Sequence, residues 1–587
     1  MRRTSVISRL KTLVLATLAC VLLALVAPLF IATRAVDEPF SGYSVLASPR
    51  DLHVVTKPAR LSAAPDLTLS RGVLYADGNA ALGTPISRFV LDGPVFYLNA
   101  SGLKAATAGF DSVAVGAESA AIAPLLDQFM SMSFDALTIR RGTLYVMTAD
   151  GAAETVADIQ AEISGSRKGQ VTAKGSFLVR GQRLTFEASV TPSVEKQAGQ
   201  LWLTKAALKG SLIDATFDGN INVAGDLQVT GHMELATSSL RKIVRWFGVP
   251  VPMSAGLAAV TLKGQLTWAR GTVAVEKAKV TVDGSEAAGT VAFAYSGEHP
   301  TVDGTLAFNT LDLAPYFEAM RSQSYVFDRH TWSWSAFDFS FPILNSFDAD
   351  LRLSAASLGF KGNALGRGAA SITVRSGKLI ANIVELELPT GTASGRITAD
   401  MTEFVPRYAL RGKIDNFDPA PAAAMLTGLP MLSGRSALKI DLRAAGQTPA
   451  EVLRSLSGKI GISQTESGKL GLDVRAIRAG QETSVSASQL LKTATSIEGL
   501  EARANLVDGV VVGEYVQART GALNITATGS ADLLDRTLDL RLLVQPSAAA
   551  DKSQVPAEST ATTVLSVSGP WTDPAVRREP AIDAPMR

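Results

Sequence analysis

From Arg183 to Val190 the chain alternates without a break: Leu184, Phe186, Ala188 and Val190 fall on one side, and Arg183, Thr185, Glu187 and Ser189 on the other. A period of two is the pattern of a β-strand with one dry and one wet face. It recurs at Leu227 and Val229, at Val384, Leu386 and Leu388, at Leu438, Ile440 and Leu442, and at Leu538, Leu540 and Leu542. Between such runs stand turn pairs, among them Asp92-Gly93-Pro94, Asp218-Gly219, Asp283-Gly284, Ser376-Gly377 and Asp508-Gly509, at spacings that suit antiparallel hairpins. One phrase repeats: Leu67–Tyr75 and Leu137–Tyr145 agree at six of nine positions, which predicts a repeated strand-turn-strand unit.

Helical signals are few. Thr448-Pro449-Ala450-Glu451 has a capping residue, a proline at the first helical position and a capping-box glutamate. Others cover 121–130, 239–247 and 313–320. So few helices cannot form a layer over several hundred residues of sheet, so the dry face must be closed by another sheet, by curling on itself, or by a ligand. The pattern alone predicts a mainly β protein and leaves those three closures open.

Before the alternation begins, residues 12–33 carry no charge, and as a helix they would run for roughly 33 Å, the thickness of a bilayer core. Leu13, Val14, Leu15, Leu18, Val21, Leu22, Leu23, Leu25, Val26, Leu29, Phe30 and Ile31 are its apolar anchor residues. Arg2, Arg3, Arg9 and Lys11 precede it, while Asp37 and Glu38 follow, so the N-terminus is expected in the cytoplasm and the remaining chain outside. A cleaved signal peptide is the alternative. The expected layout is a cytoplasmic N-terminus (1–11), a transmembrane helix (12–33), a linker (34–65), a first β region (66–330) and a second (331–574). Residues 546–560 read as a surface loop, and 575–587 as a disordered tail.

The 56 Lys and Arg nearly balance the 54 Asp and Glu, so the chain lacks the basic excess of a nucleic-acid binder. The single cysteine, Cys20, lies in the apolar run, which leaves no disulfide and no thiolate metal site. His53, His232, His299 and His330 show no ligand spacing, and no phosphate loop, dinucleotide fingerprint or nucleophile elbow is present. No cofactor and no catalytic residue is expected. Trp332, Trp334, Phe337, Phe339 and Phe341 form the one aromatic cluster, read first as strand packing and second as part of a ligand track.

Longer phrases resemble the AsmA family of inner-membrane-anchored envelope proteins. Gly210-Ser211-Leu212 with Phe217-Asp218-Gly219-Asn220-Ile221 is similar to its repeated blocks, and Leu306-Ala307-Phe308 with Leu311-Asp312-Leu313-Ala314-Pro315-Tyr316 resembles a phrase common in its longer bacterial members. Leu438–Leu442 with Leu453–Gly458, then Leu506–Val510, Thr537–Leu542 and Val567–Pro574, are similar to its closing domain. The resemblance implies a long, curved, antiparallel β groove related to bridge-like lipid carriers, with phospholipid tails on the dry face. Leu184, Phe186, Val190, Leu227, Val229, Leu438, Ile440, Leu442, Leu538, Leu540 and Leu542 would then face lipid. It further implies a non-enzymatic role in outer-membrane biogenesis from the inner membrane, with the chain in the periplasm. A scaffold for outer-membrane protein assembly, with an envelope protein as partner, is the alternative.

Overall fold

The computed structural model describes residues between 43 and 579, apart from short breaks and longer ones at 78–87, 100–135, 247–255, 316–326, 422–431, 472–483, 486–493 and 548–561. By internal contacts the chain divides into two compact units, Met1–Ala307 with Ser346–Asp348, and Phe308–Asn345 with Ala349–Arg587. The division falls inside a strand, whereas the sequence reading places its boundary at 330.

In the first unit the strands are β1 (Tyr43–Ala47), β2 (Leu52–Thr56), β3 (Ala59–Leu61), β4 (Ala64–Asp77), β5 (Arg88–Asn99), β6 (Ala136–Met147), β7 (Ala153–Gly165) and β8 (Val171–Val179). They continue as β9 (Gln182–Pro192), β10 (Leu201–Gly210), β11 (Asp214–Asn222), β12 (Gln228–Thr237), β13 (Val260–Ala269), β14 (Thr272–Val282), β15 (Ser285–Ala294) and β16 (Thr301–Asp312). From β6 to β15 each strand pairs antiparallel with the next. Among the described pairings of this unit, β5 with β6 runs parallel. The repeated phrase lies on β4 and β6, which flank β5 on either side.

The second unit holds β17 (Phe327–Asp328), β18 (Ser333–Trp334), β19 (Asp348–Phe360), β20 (Asn363–Leu365), β21 (Gly368–Arg375), β22 (Lys378–Glu387), β23 (Thr392–Asp400) and β24 (Arg407–Phe417). After them come β25 (Leu432–Ser433), β26 (Ser436–Ala445), β27 (Ser457–Gln464), β28 (Gly468–Leu470), β29 (Ser484–Val485) and β30 (Thr495–Ile497). The last are β31 (Gly499–Val507), β32 (Val510–Arg519), β33 (Leu523–Asp532), β34 (Thr537–Pro546), β35 (Thr563–Pro570) and β36 (Ala575–Glu579). The main ladder runs β19, β21 to β24, β26, β27, then β31 to β36, all antiparallel. β25, β28 and β30 form a separate small sheet.

Turn chemistry explains four of the hairpins. Arg180-Gly181, Asp283-Gly284, Ser376-Gly377 and Asp508-Gly509 each place two successive residues at positive φ, the geometry of a tight two-residue hairpin. Two expected turns are instead strand interior. Asp218-Gly219 lies mid-β11, where Asp218 pairs with Lys205 and Gly219 faces Gly231. Asp92-Gly93-Pro94 is an irregularity within β5, and Asp92 bonds Arg141 on β6. In both places a cross-strand partner absorbs what a turn would otherwise need.

Two short helices stand where the sequence reading places them, the second at its capping signal. Ser239 caps α1 (Leu240–Trp246), accepting from the Lys242 amide at 3.3 Å. In α2 (Pro449–Arg454) Thr448 Oγ1 accepts from the Glu451 amide at 3.3 Å, and Glu451 reaches back to the Gln447 amide at 2.8 Å. The tail expected to be disordered from 575 contains β36, a correction to the sequence reading. Val576 inserts into a buried cluster and is 4% exposed, so one apolar residue outweighs its charged neighbours. The expected transmembrane span at 12–33, the helix at 121–130 and nearly all of the loop at 546–560 lie outside the described residues. Among the described residues no helix is long and apolar enough to cross a membrane.

Candidate functional site

Directly paired residues in an antiparallel ladder project to the same face, so register assigns every inward side chain. Across β22, β23, β24 and β26 four such rows stand side by side. They read Leu379-Ala399-Tyr408-Ala444, Ala381-Ile397-Leu410-Leu442, Ile383-Gly395-Gly412-Ile440 and Leu386-Ala393-Ile414-Leu438. No position in this block carries a charge. The opposite face of the same strands carries Arg396, Arg411, Lys413, Lys439, Asp441 and Arg443.

What matters is how this apolar face is closed. In a sealed sandwich it would be dry throughout, yet Ile397 is 41% exposed and Leu410 38%, and their partner Leu442 is also only half-buried. Among the described residues the block is a single layer of sheet, and its apolar side is partly exposed at Ile397 and Leu410. The track continues through Leu438, Ile462, Ala502, Val516, Ala527 and Leu542 in one row, and through Leu442, Gly458, Leu506, Val511, Ala531 and Leu538 in another. Leu438, Ile440, Leu442, Leu538, Leu540 and Leu542 therefore share one face.

Towards β36 the track becomes covered. Ile497 of the small sheet, 1% exposed, packs in one cluster with Leu523, Ile525, Val544, Leu565 and Val576, and Leu432, Leu470, Leu538, Leu540 and Leu542 pack against it. Gln464 ties the small sheet down: it is 3% exposed, and its Nε2 donates to the Ser433 carbonyl at 2.9 Å. Its Oε1 is buried without a hydrogen-bond partner.

The first unit repeats the design with the balance reversed. Phe186, Leu208, Ala215, Leu235, Leu262, Val280 and Ala287 form one apolar row from β9 to β15. At its β6 to β9 end the face is sealed: Leu137, Ile139, Leu144, Ile163 and Phe177 are at most 1% exposed. Leu184, Phe186 and Val190 are buried there at 2%, 5% and 7%. Val229, Leu235 and Leu262 further along are only half-buried. Leu227 lies outside the described residues. Beside the sealed end Arg180 donates twice to Glu154 Oε2, at 2.5 and 2.8 Å, and once to the Trp246 carbonyl at 3.1 Å, holding the end of α1 to the β8–β9 turn.

Glycines sit on the apolar face where strands approach most closely. A Cβ at Gly219 would lie 2.2 Å from the Thr230 carbonyl oxygen, and one at Gly395 would lie 2.6 Å from that of Arg411. Any side chain there would push neighbouring strands apart, so glycine permits the local bend and leaves the floor of the track bare.

Most charge lies on the other face and in the turns; Glu154, paired with Arg180, and Arg578 are exceptions at strand ends on the apolar side. Hydrogen bonds from Arg141 and Arg183 hold the Asp92 and Asp158 carboxyls below the ordinary aspartate range, and Arg367 does the same for Glu387. The described polar face of β6 to β10 bears a depression of about 630 Å³ where Lys174 pairs with Glu162 at 2.9 Å; both side chains are solvated. Among the described residues no three His, Cys, Asp or Glu side chains stand close enough to hold a metal ion. The sequence reading missed Gln464, the small sheet, the glycine floor, and Ile397 and Leu410 of the open stretch. The first two rest on pairings between two- and three-residue strands, too short to show a period.

No family model matches the chain. It is 24% identical over 202 residues to Protein AsmA of Escherichia coli (strain K12), a stretch that covers 33% of this chain and 32% of AsmA. The similarity supports an AsmA-like relationship over a third of the chain, alongside a mainly β, mostly antiparallel fold.

Proposed function

We propose that this protein is a non-enzymatic envelope protein whose exposed apolar sheet face holds or conducts the acyl chains of phospholipid, in support of the outer membrane. One observation carries the reading: Ile397, Leu410 and Leu442 line up across three strands of a single-layer sheet, and two of the three are more than a third exposed. Leaving such a band in water is unfavourable, and an acyl chain laid along it would recover about 0.8 kcal/mol per buried methylene. The distant similarity to AsmA supports an envelope setting. The anchor expected at 12–33 would hold the chain to the inner membrane, with the β region on the periplasmic side.

The test uses purified full-length protein and a phospholipid with a fluorescent acyl chain, transferred from donor vesicles. Leu410→Glu puts a carboxylate on the track, which must lose its water beneath an acyl chain at a cost of several kcal/mol. Binding should fall by about tenfold or more, while Thr230→Glu, on the polar face of the first unit, should leave it unchanged. Equal binding by the Leu410→Glu protein and the parent would overturn the reading.

A further inference from the structure

The opposite face of the second unit holds an array that the lipid track does not use. Seven exposed cations, Arg396, Arg411, Lys413, Lys439, Arg443, Lys459 and Arg503, lie on β23, β24, β26, β27 and β31. Register places them side by side: Arg396, Arg411, Asp441 and Lys459 form one row, and Lys413, Lys439, Gly461 and Arg503 the next. Three carboxylates answer them, with Asp441 pairing to Arg411, Asp415 to Lys413 and Glu501 to Arg503. Lys439, Arg443 and Lys459 form no ion pair among the described residues. On the polar face of the first unit Lys174, Lys205 and Lys263 each pair with a carboxylate, and Lys209 and Lys279, also exposed, stand on separate strands rather than in one block.

A second feature lies at the rim of the same array. The connection from β23 to β24 presents Phe404 at 88% exposure and Val405 at 43%. An aromatic side chain left that bare at a loop tip is a candidate contact. Its backbone is fixed: the Phe404 carbonyl accepts from Gln447 Nε2 at 2.9 Å, and Glu403 pairs with Arg407 at 2.8 Å.

We infer that this face docks on an anionic bilayer surface, with Phe404 and Val405 entering the interfacial layer and Lys439, Arg443 and Lys459 meeting lipid phosphates. The arrangement discriminates against a protein partner. Protein interfaces centre on an apolar or aromatic anchor with charge at the rim, and they are depleted in lysine. Here the order is inverted, since the positions among the cations are Ser394, Ala409, Ser457 and Gly461, and the aromatic residue stands outside them. Mobile headgroups adapt to a flat lattice of charges that offers no pocket, and shallow apolar insertion combined with cations is how peripheral elements hold to membranes.

The experiment uses the full-length chain held in phosphatidylcholine nanodiscs and measures capture of phosphatidylcholine vesicles with and without phosphatidylglycerol. Each cation near an anionic surface strengthens binding by about fivefold. The triple substitution K439Q, R443Q and K459Q should therefore weaken capture of phosphatidylglycerol vesicles by ~100-fold. Phe404→Ser should weaken it by about tenfold, the loss of one partly inserted aromatic ring. Salt near 1 M, where screening shortens to about 3 Å, should abolish the charge-dependent part. The doubly substituted K205Q and K263Q protein should behave as the parent, and an unchanged melting curve for the triple variant shows that folding is intact. Equal capture of neutral vesicles, or capture that survives the triple substitution, would overturn the proposal. So would binding of polyglutamate without binding of phosphatidylglycerol vesicles, which would point to an acidic protein.

Discussion

Leu410 and Phe177 occupy equivalent inward positions on alternating strands, yet Leu410 is 38% exposed and Phe177 is 0% exposed. The difference is what covers them, and stability should report it. Phe177→Ala is expected to cost about 3–5 kcal/mol and Leu410→Ala less than about 1 kcal/mol, read from denaturant melts. Comparable losses at the two sites would mean that the face around Leu410 is closed. Glycine makes the complementary case. Gly219→Val should destabilise the first unit by more than about 1 kcal/mol, because its Cβ would meet the Thr230 backbone 2.2 Å away and that backbone cannot rotate aside. The carboxylates set the acid limit. Asp92 and Asp158 titrate lower when folded, so their stabilisation is complete above the unfolded aspartate value of about 3.9 and is lost as pH falls below it. Melting temperature should accordingly hold steady from neutral to about pH 5 and drop below about pH 4, less steeply in Arg141→Gln and Arg183→Gln proteins.

At the level of the element, local chemistry was the most legible part of the sequence. Asp283-Gly284, Ser376-Gly377 and Asp508-Gly509 became hairpin turns because glycine accepts the positive φ that the second turn position demands. The reading failed where pairing with neighbouring strands decides the outcome, as where Asp218 and Gly219 stand in register with both β10 and β12. A bulge defeated it in another way. Val384, taken from its alternation as an inward residue, is the extra residue in β22 and is 68% exposed, while Ile383 and Leu386 face inward on either side of the irregularity. Helix α2 was legible because its cap is purely local. Thr448→Ala removes the bond to the Glu451 amide and should cost about 1 kcal/mol in the second unit, with Thr448→Ser restoring most of it. An unchanged melt in Thr448→Ala would mean that the β26–β27 connection is held by other contacts, such as the bond from the Gly509 amide to the Leu456 carbonyl at 2.9 Å.

For the molecule as a whole, periodicity revealed a mainly β chain with a dry and a wet face, but not how each stretch of dry face is closed. Closure is a property of segments distant in sequence. The face holding Leu184, Phe186 and Val190 is sealed, the one holding Leu538, Leu540 and Leu542 packs on a cluster, and the one around Ile397 and Leu410 is open. Alternation nominated Leu442 and the two covered groups but not Ile397 or Leu410, whose strands carry Ala399, Ala409 and Gly412 among the larger residues and so show a weaker period. The central claim is that acyl chains occupy the open stretch, and position-specific photo-crosslinking in membranes with labelled phospholipid tests it directly. A benzophenone side chain placed at Ile397, Leu410 or Leu442 should capture phospholipid, while the same group at Thr216, Asp218 or Thr230, on the polar face of the first unit's sheet, should capture far less. Equal labelling of the two faces, or no labelling at the first three positions in a folded protein, would contradict the account.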